Sequence, residues 1–221
     1  MSTENFQDDG REEQMRNLFD MRKDETEGRS GIDAYLDING QAIPFELKTT
    51  SDKRNSVTTV RDFSPDHIKK WSGKHWLFGF YSGGQVCYKY GSPEMMKPWI
   101  DSMEKYISPD FKLAEISHQK LTLEDLYNIL PQKEAYTLED AKSIQKKQYL
   151  NSQYKALQDL ENGYSPNRML EILSGRLKYL IERGSTLNNP HISGSYFQSW
   201  EAITSNHSST LKKLVVDYLN K

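Results

Sequence analysis

The sequence predicts an α/β fold: a central mixed β-sheet flanked by helices, with a helical C-terminal half. Three observations support this class. Asn39-Gly40 is typical of a two-residue hairpin turn and separates two strand-like segments. The apolar and aromatic run over residues 75–81 indicates a strand buried on both faces. From Ser92 onward, the pattern is almost entirely that of helices with polar N-terminal caps.

The individual elements follow from local signals. In the first part we expect a helix over 12–22, hairpin strands over 32–38 and 43–49, a helix over 64–71, and strands over 75–81 and 85–90. In the second part we expect helices over 92–107, 122–130, 137–162, 165–184 and 209–220. The segment 185–206 is rich in Ser, Asn and Gly, which indicates a contact loop rather than a core segment. We therefore predict one region over 1–91 and a helical region over 92–221, packed as one compact unit.

Composition and charge exclude several classes of protein. The chain has 221 residues, 27% charged and 36% hydrophobic, which suits a compact domain with a buried core. No apolar run approaches the roughly 20 residues that span a bilayer, and the N-terminus is polar, so we expect a cytoplasmic protein. The single cysteine, Cys87, excludes an internal disulfide. With 29 basic and 31 acidic residues, nucleic-acid binding would require locally concentrated basic groups.

The predicted hairpin places two acidic side chains together. If Asn39 and Gly40 form the turn, counting outward along the antiparallel ladder sets Asp33 directly opposite Glu46. Directly opposite side chains have Cβ atoms about 4.5–5.5 Å apart, which is close enough for two carboxylates to hold one cation. Lys48 lies two residues beyond Glu46 and therefore projects from the same face. The sequence thus predicts a carboxylate pair with an ammonium group beside it.

This combination suits metal-assisted hydrolysis of a phosphodiester. Carboxylates are hard oxygen ligands for Mg²⁺, and the backbone carbonyl of Leu47 can supply a further oxygen. The ammonium of Lys48 can orient or activate the attacking water and offset charge that develops on the phosphate. Because buried acids are costly without a metal, we expect the site at the edge of a cleft.

The residues Asp33 and Glu46-Leu47-Lys48 on a hydrophobic strand resemble the core of the PD-(D/E)XK nuclease superfamily. The resemblance covers about residues 11–90, and the size of the chain and its helical second half resemble a type II restriction endonuclease. Ile32 stands where the family motif has a proline that its members often lose. The resemblance implies that Asp33, Glu46 and the Leu47 carbonyl bind Mg²⁺ and that Lys48 serves the water. Some members of the superfamily also use an acid on the N-terminal helix, for which Glu13 or Glu12 is the nearest candidate.

A basic string follows the proposed site and could contact a DNA backbone. It comprises Lys53, Arg54, Arg61, Lys69, Lys70 and Lys74. A charged loop and a solvated helix face would explain the same residues. The five histidines lack the spacing of a zinc site, and no glycine-rich loop matches a nucleotide fingerprint.

From these observations we expect a Mg²⁺-dependent endonuclease that cuts double-stranded DNA at a short specific sequence. Residues 1–91 would form its catalytic core, and the helical region over 92–221, with the loop over 185–206, would serve DNA recognition or dimerisation. Cutting both strands with one site per chain suggests a homodimer on a palindromic target. A restriction enzyme of a prokaryote or phage would also be accompanied by a DNA methyltransferase that protects the host's own sites. Two alternatives remain open: a structure-specific repair or recombination nuclease of the same fold, and a DNA-binding module without catalysis.

Overall fold

The predicted α/β class is confirmed. The computed structural model describes residues 4–24, 26, 31–82 and 84–221. The helices in these ranges are α1 (Glu4–Leu18), α2 (Pro65–Trp71), α3 (Pro93–Ser117), α4 (Leu123–Ile129), α5 (Leu138–Gln145), α6 (Asn151–Ala156), α7 (Pro166–Gly184) and α8 (His207–Leu219). The strands are β1 (Ala34–Ile38), β2 (Gln41–Thr50), β3 (Val57–Thr58), β4 (His75–Ser82), β5 (Gln85–Gly91), β6 (His191–Ile192) and β7 (Ala202–Ile203).

Within the described ranges, a mixed five-stranded sheet has the order β1-β2-β4-β5-β7. Strands β2 and β4 are parallel, and the other neighbouring strands are antiparallel. The short strands β3 and β6 form a separate antiparallel pair. The central position of β4 agrees with its continuous apolar sequence.

The described residues fall into two compact units. One comprises Met1–Lys105 and Leu187–Lys221, and the other comprises Tyr106–Thr186. The change of composition near Gly91 is therefore not where the contacts divide. The last 35 residues of the chain belong with the sheet, because β7 pairs with β5 and α8 contributes to the sheet's core.

The two faces of the sheet in the first unit are covered by different sets of side chains. One face carries a core in which Phe45 and Leu47 of β2 pack with Met15 of α1 and Leu211 of α8. The opposite face carries aromatic rings from β4, α2 and the segment after β6: Trp71, Trp76, Phe78, Phe80, Phe197 and Trp200. Because side chains alternate along a strand, Glu46 and Lys48 project toward this aromatic face.

The second unit is helical and has its own core. Its buried side chains come from α4, α5, α6, α7 and the connections between them: Leu126, Tyr136, Ala141, Ile144, Tyr154, Tyr164, Met169, Ile172 and Leu173. Thr122, Thr137 and Ser165 cap their helices as predicted, each accepting a hydrogen bond from a backbone N–H of the first turn. No helix in the described residues combines the length and the apolar character needed to cross a bilayer.

Several predicted element boundaries are wrong. The helix expected over 12–22 ends at Leu18, and Arg22 instead forms a bridge with Tyr35 beside β1. The helix expected over 137–162 is broken after α5, where Lys146 and Lys147 adopt positive φ angles. The segment 185–206 is not a peripheral loop, because Ile192, Phe197 and Ile203 are buried in the sheet unit.

Candidate metal and nucleic-acid site

The hairpin turn sets the register of the site. Asn39 and Gly40 have φ angles of 51° and 80°, which is the left-handed conformation that a type I′ turn requires at both positions. Ile38 consequently pairs with Gln41, as predicted, and the ladder continues to the pair Ala34 and Phe45. The paired ladder ends there, and Asp33, one residue before Ala34, contacts β2 through its side chain at Leu47.

The two acids meet at a single ammonium group. Nζ of Lys48 lies 2.9 Å from Oε1 of Glu46 and 3.7 Å from Oδ2 of Asp33. The same Nζ donates a hydrogen bond of 3.0 Å to the Leu47 carbonyl oxygen. The three oxygens expected to bind a metal therefore converge on one positive charge.

A backbone hydrogen bond fixes the position of Asp33. Its Oδ2 accepts a hydrogen bond of 3.0 Å from the Leu47 N–H. The guanidinium of Arg16, on α1, lies 3.5 Å from the Asp33 carbonyl oxygen. Asp33 is thus tied to β2 on one side and lies within reach of α1 on the other.

Glu46 is buried among lysines. Its side chain is only 4% exposed, whereas those of Asp33 and Lys48 are 18% and 16% exposed. Besides Lys48, Lys74 lies 3.4 Å and Lys70 4.0 Å from Oε2 of Glu46. The expectation of a site at a cleft edge therefore fits Lys48, which lines the neighbouring cleft, whereas neither Asp33 nor Glu46 is among the described lining residues of that cleft.

The charges alter one another's protonation. Burial opposes ionisation of Glu46, but the ammonium groups of Lys48, Lys70 and Lys74 outweigh it, so the pKa of Glu46 lies well below its ordinary value. Burial would lower the pKa of Lys48, but Glu46 and Asp33 outweigh it, so that pKa is raised. For Lys74, burial outweighs the attraction of Glu46, and its pKa is lowered.

The chemistry of the donor set fits a hard divalent cation. Two carboxylates and a carbonyl are oxygen ligands of the kind that Mg²⁺ prefers, and they already surround a cation. Magnesium binds oxygen at about 2.0–2.1 Å, so these groups would have to close in, and Lys48 would have to withdraw. Within the described part of the chain, no group of three His, Cys, Asp or Glu side chains could hold a metal. Any further ligands would come from water or from the substrate phosphate.

The acids of α1 occupy different environments. Glu13 is exposed, whereas Glu12 is partly buried and lines a cleft together with Lys48. Glu12 also acts electrostatically on Lys48 and lies 3.8 Å from Arg16. Of the two, the geometry brings Glu12 closer to the site.

The cleft beside Lys48 has a volume of about 1310 Å³ and belongs entirely to the sheet unit. Its basic residues are Arg11, Lys48, Arg54 and Arg61. The remaining described lining residues are Ser, Thr, Asn, His, Gly and two acids, Glu12 and Asp52, with no aliphatic or aromatic side chain. Such a lining offers charge and hydrogen bonds rather than an apolar surface.

The basic residues predicted from sequence differ in whether they line this cleft. Arg54 and Arg61 line it, whereas Lys53 and Lys69 are exposed elsewhere on the surface. Lys70 and Lys74 approach Glu46 instead. The predicted basic string thus divides into a cleft group, an acid-facing group and a solvated group.

The loop between β2 and β3 is held in a defined conformation. The hydroxyl of Thr50 donates to the Ser56 carbonyl at 2.7 Å and accepts from the Asp52 N–H at 3.1 Å. The Arg54 carbonyl packs against Gly194, where a Cβ atom would collide with it. The loop that carries Arg54 is therefore held in place by its contact with Gly194, on the opposite side of the cleft.

Two parts of the site were not placed from sequence. The first is the wall over 189–195: the segment 185–206 was expected to make contacts, but its position beside Lys48, with Asn189, His191 and Ser193 in the cleft lining, was not expected. The second is Lys74 as a partner of Glu46, 28 residues away in the chain. No model of a known protein family matches the chain, and no curated protein matches it.

Proposed function

We propose that the chain is a Mg²⁺-dependent endonuclease that hydrolyses phosphodiester bonds of double-stranded DNA, and specifically a type II restriction enzyme. The observation that carries the proposal is the convergence of Asp33 Oδ2, Glu46 Oε1 and the Leu47 carbonyl oxygen on one cationic position. These are the atoms that the resemblance to PD-(D/E)XK nucleases assigns to the metal.

Each residue has a distinct role in this proposal. Asp33, Glu46 and the Leu47 carbonyl would hold Mg²⁺, which when bound polarises the phosphate and acidifies a water ligand. Lys48, next to both acids, would orient the attacking water and offset charge on the phosphate. Because the surrounding acids raise its pKa, Lys48 is an ammonium at neutral pH, which favours an electrostatic role over proton abstraction.

The cleft supports a nucleic-acid substrate. Arg11, Arg54 and Arg61 provide positive charge beside Lys48, although the chain as a whole carries a formal charge of −2. Phosphate contacts from such groups position a duplex without reading its sequence. The hydroxyl and amide side chains of the 189–195 wall are groups that can hydrogen-bond base edges.

The biological setting follows from the same proposal. Two copies of one site, related by a two-fold axis, would cut both strands of a palindromic target. The enzyme would act in the cytoplasm of a prokaryote or in a phage-infected cell. A neighbouring gene for a DNA methyltransferase would favour restriction over repair, because the host must protect its own target sites.

One observation also favours the non-catalytic alternative. The three lysines around Glu46 neutralise it without any metal, as they would in a structural ion-pair network. A DNA-binding module could keep such a network for stability alone. The two readings differ in whether the protein cuts DNA.

Incubation of the purified chain with mixed plasmid and phage DNA and Mg²⁺ tests the proposal. Discrete fragments that vanish when EDTA replaces Mg²⁺ are expected. Smears, or cutting confined to branched DNA, would assign the chain to the structure-specific class. If the chain binds DNA but does not cleave it with any divalent cation, it belongs to the non-catalytic class, and the proposal is contradicted.

A further inference from the structure

Lys74 is held in a tight turn immediately before β4. Gly73 has a φ angle of 77°, in the left-handed region that favours glycine, and it turns the chain at the end of α2. The Lys74 N–H donates a hydrogen bond of 3.1 Å to the Trp71 carbonyl. This turn directs the Lys74 side chain toward Glu46 on the neighbouring strand β2.

The ammonium of Lys74 is buried with a single acidic partner. Lys74 is 5% exposed. Among the described residues, the acid within ion-pair distance of its Nζ is Glu46. Burying a charge is costly unless it is paired, so this contact is the compensation for burying Lys74. We therefore expect Lys74 to remain at Glu46 when Lys48 moves.

The two oxygens of Glu46 face different cations. Oε1 faces Lys48 at 2.9 Å, on the side shared with Asp33 and the Leu47 carbonyl. Oε2 faces Lys74 at 3.4 Å and Lys70 at 4.0 Å. Only Oε1 is directed toward the position where the three oxygens converge.

This division limits how many metal ions the site can hold. In two-metal sites the ions lie about 3.5–4 Å apart, and ligands that reach both ions are needed. Glu46 cannot bridge two ions while its Oε2 faces two ammonium groups. A second ion at Asp33 would have to be held by Asp33, water and substrate without help from Glu46, so it should not be retained in the absence of DNA.

We propose that the site binds one divalent cation per chain, because Lys74, with Lys70 behind it, occupies Oε2 of Glu46 and prevents this carboxylate from bridging two ions. The inference rests on the proposed metal-binding function. Lys74 is thus a positioning residue that makes Glu46 a ligand through Oε1 alone.

Calorimetric titration of the full chain with Mn²⁺, without DNA, counts the ions directly. The number of ions retained is checked independently by the loss of the free Mn²⁺ signal in electron paramagnetic resonance. One ion per chain is expected for the wild type, and none for Asp33→Asn. The double variant Lys70→Met, Lys74→Met frees Oε2, and a second, weaker binding event is expected. Lys213→Met, at an exposed position of α8, is the matched control and should keep one ion.

The outcomes separate this inference from the proposed function. Two ions in the wild type, both lost in Glu46→Gln, would overturn the inference and leave the metal-dependent nuclease intact. No Mn²⁺ binding, or one ion that remains in Asp33→Asn, would overturn both. A folded double variant that still binds one ion would also overturn the role of Lys74. If that variant does not fold, the count for the wild type still decides how many ions bind.

Discussion

The ammonium of Lys48 lies 2.9 Å from Oε1 of Glu46, in the position where a metal-binding site would hold its cation. A lysine that occupies this position keeps the acids neutralised before a metal arrives. In the proposed function, the same lysine would stay next to the reacting groups once a metal displaced it. Metal binding and the placement of Lys48 would then be coupled.

This coupling predicts that Lys48→Met separates metal binding from catalysis. Without the competing ammonium we expect Mn²⁺ to bind about tenfold more tightly, equivalent to about 1.4 kcal/mol. Cleavage should slow by about 10²–10³-fold, the usual cost of removing one positioned group that stabilises developing charge. Calorimetry and single-turnover cleavage measure the two effects. Unchanged or weaker Mn²⁺ binding would show that Lys48 does not compete for the metal position.

Arg54→Ala and Arg61→Ala are expected to reduce the salt dependence of DNA binding. Each lost phosphate contact should reduce the slope of log K against log salt concentration by about 0.9. Lys69→Ala, which alters a surface lysine outside the cleft lining, should have a smaller effect. Fluorescence anisotropy with a labelled duplex at several salt concentrations gives the slopes. Equal slopes for all three variants would mean that the cleft is not the path of the DNA backbone.

Gly194→Ala is expected to disturb DNA binding without disturbing the metal site. A Cβ atom at this position would collide with the Arg54 carbonyl, so the loop between β2 and β3 must shift. Glu46 and Asp33 are held by contacts that do not involve this loop. We expect weaker duplex binding with the Mn²⁺ affinity of the wild type. Wild-type affinity for DNA would show that the position of Arg54 is unimportant.

His75 should make folding stability depend on pH. It is buried in β4 with its Nδ1 2.7 Å from the Tyr90 hydroxyl, and burial lowers its pKa to about 4 from 6.5. Below pH 6.5 the unfolded chain therefore binds a proton that the folded chain excludes. The contribution of neutral His75 to the free energy of unfolding is therefore fully present above pH 6.5 and is lost as the pH falls toward 4. It amounts to about 3 kcal/mol at most.

Urea unfolding between pH 7 and pH 4 measures this effect. The variant His75→Gln keeps a hydrogen-bonding group for Tyr90 but does not titrate, so its stability should fall less steeply with decreasing pH. Other titrating groups contribute equally to both proteins. Parallel curves for the two proteins would show that His75 is protonated as easily in the folded chain as in the unfolded one.

The hairpin could be predicted from sequence because its signals are local. Asn39-Gly40 defines a turn with no choice of register, and the alternation of β2 then assigns Glu46 and Lys48 to one face and Leu47 to the other. The helix caps at Thr122, Thr137 and Ser165 are equally local. Features of this kind depend on neighbouring residues only.

The surroundings of Glu46 could not be predicted in the same way. Lys74 reaches Glu46 because β2 and β4 are parallel neighbours and because Gly73 turns the chain. The residues around Lys74 do not indicate which strand β4 pairs with or toward which strand the Lys74 side chain points. The wall over 189–195 depends on a two-residue strand, β6, which is too short to show any alternation. The break after α5 occurs at two lysines with positive φ, where no glycine signals it.

Cleavage of DNA by Asp33→Asn tests the central claim most directly. Asparagine at 33 can still accept the hydrogen bond from the Leu47 N–H, so the hairpin should fold, but it lacks the negative charge that a metal needs. With Mg²⁺ present, we expect wild-type protein to yield discrete fragments and Asp33→Asn to yield none, although it binds the same DNA. Fragments produced by Asp33→Asn at the wild-type rate would contradict the assignment of Asp33 to the metal site.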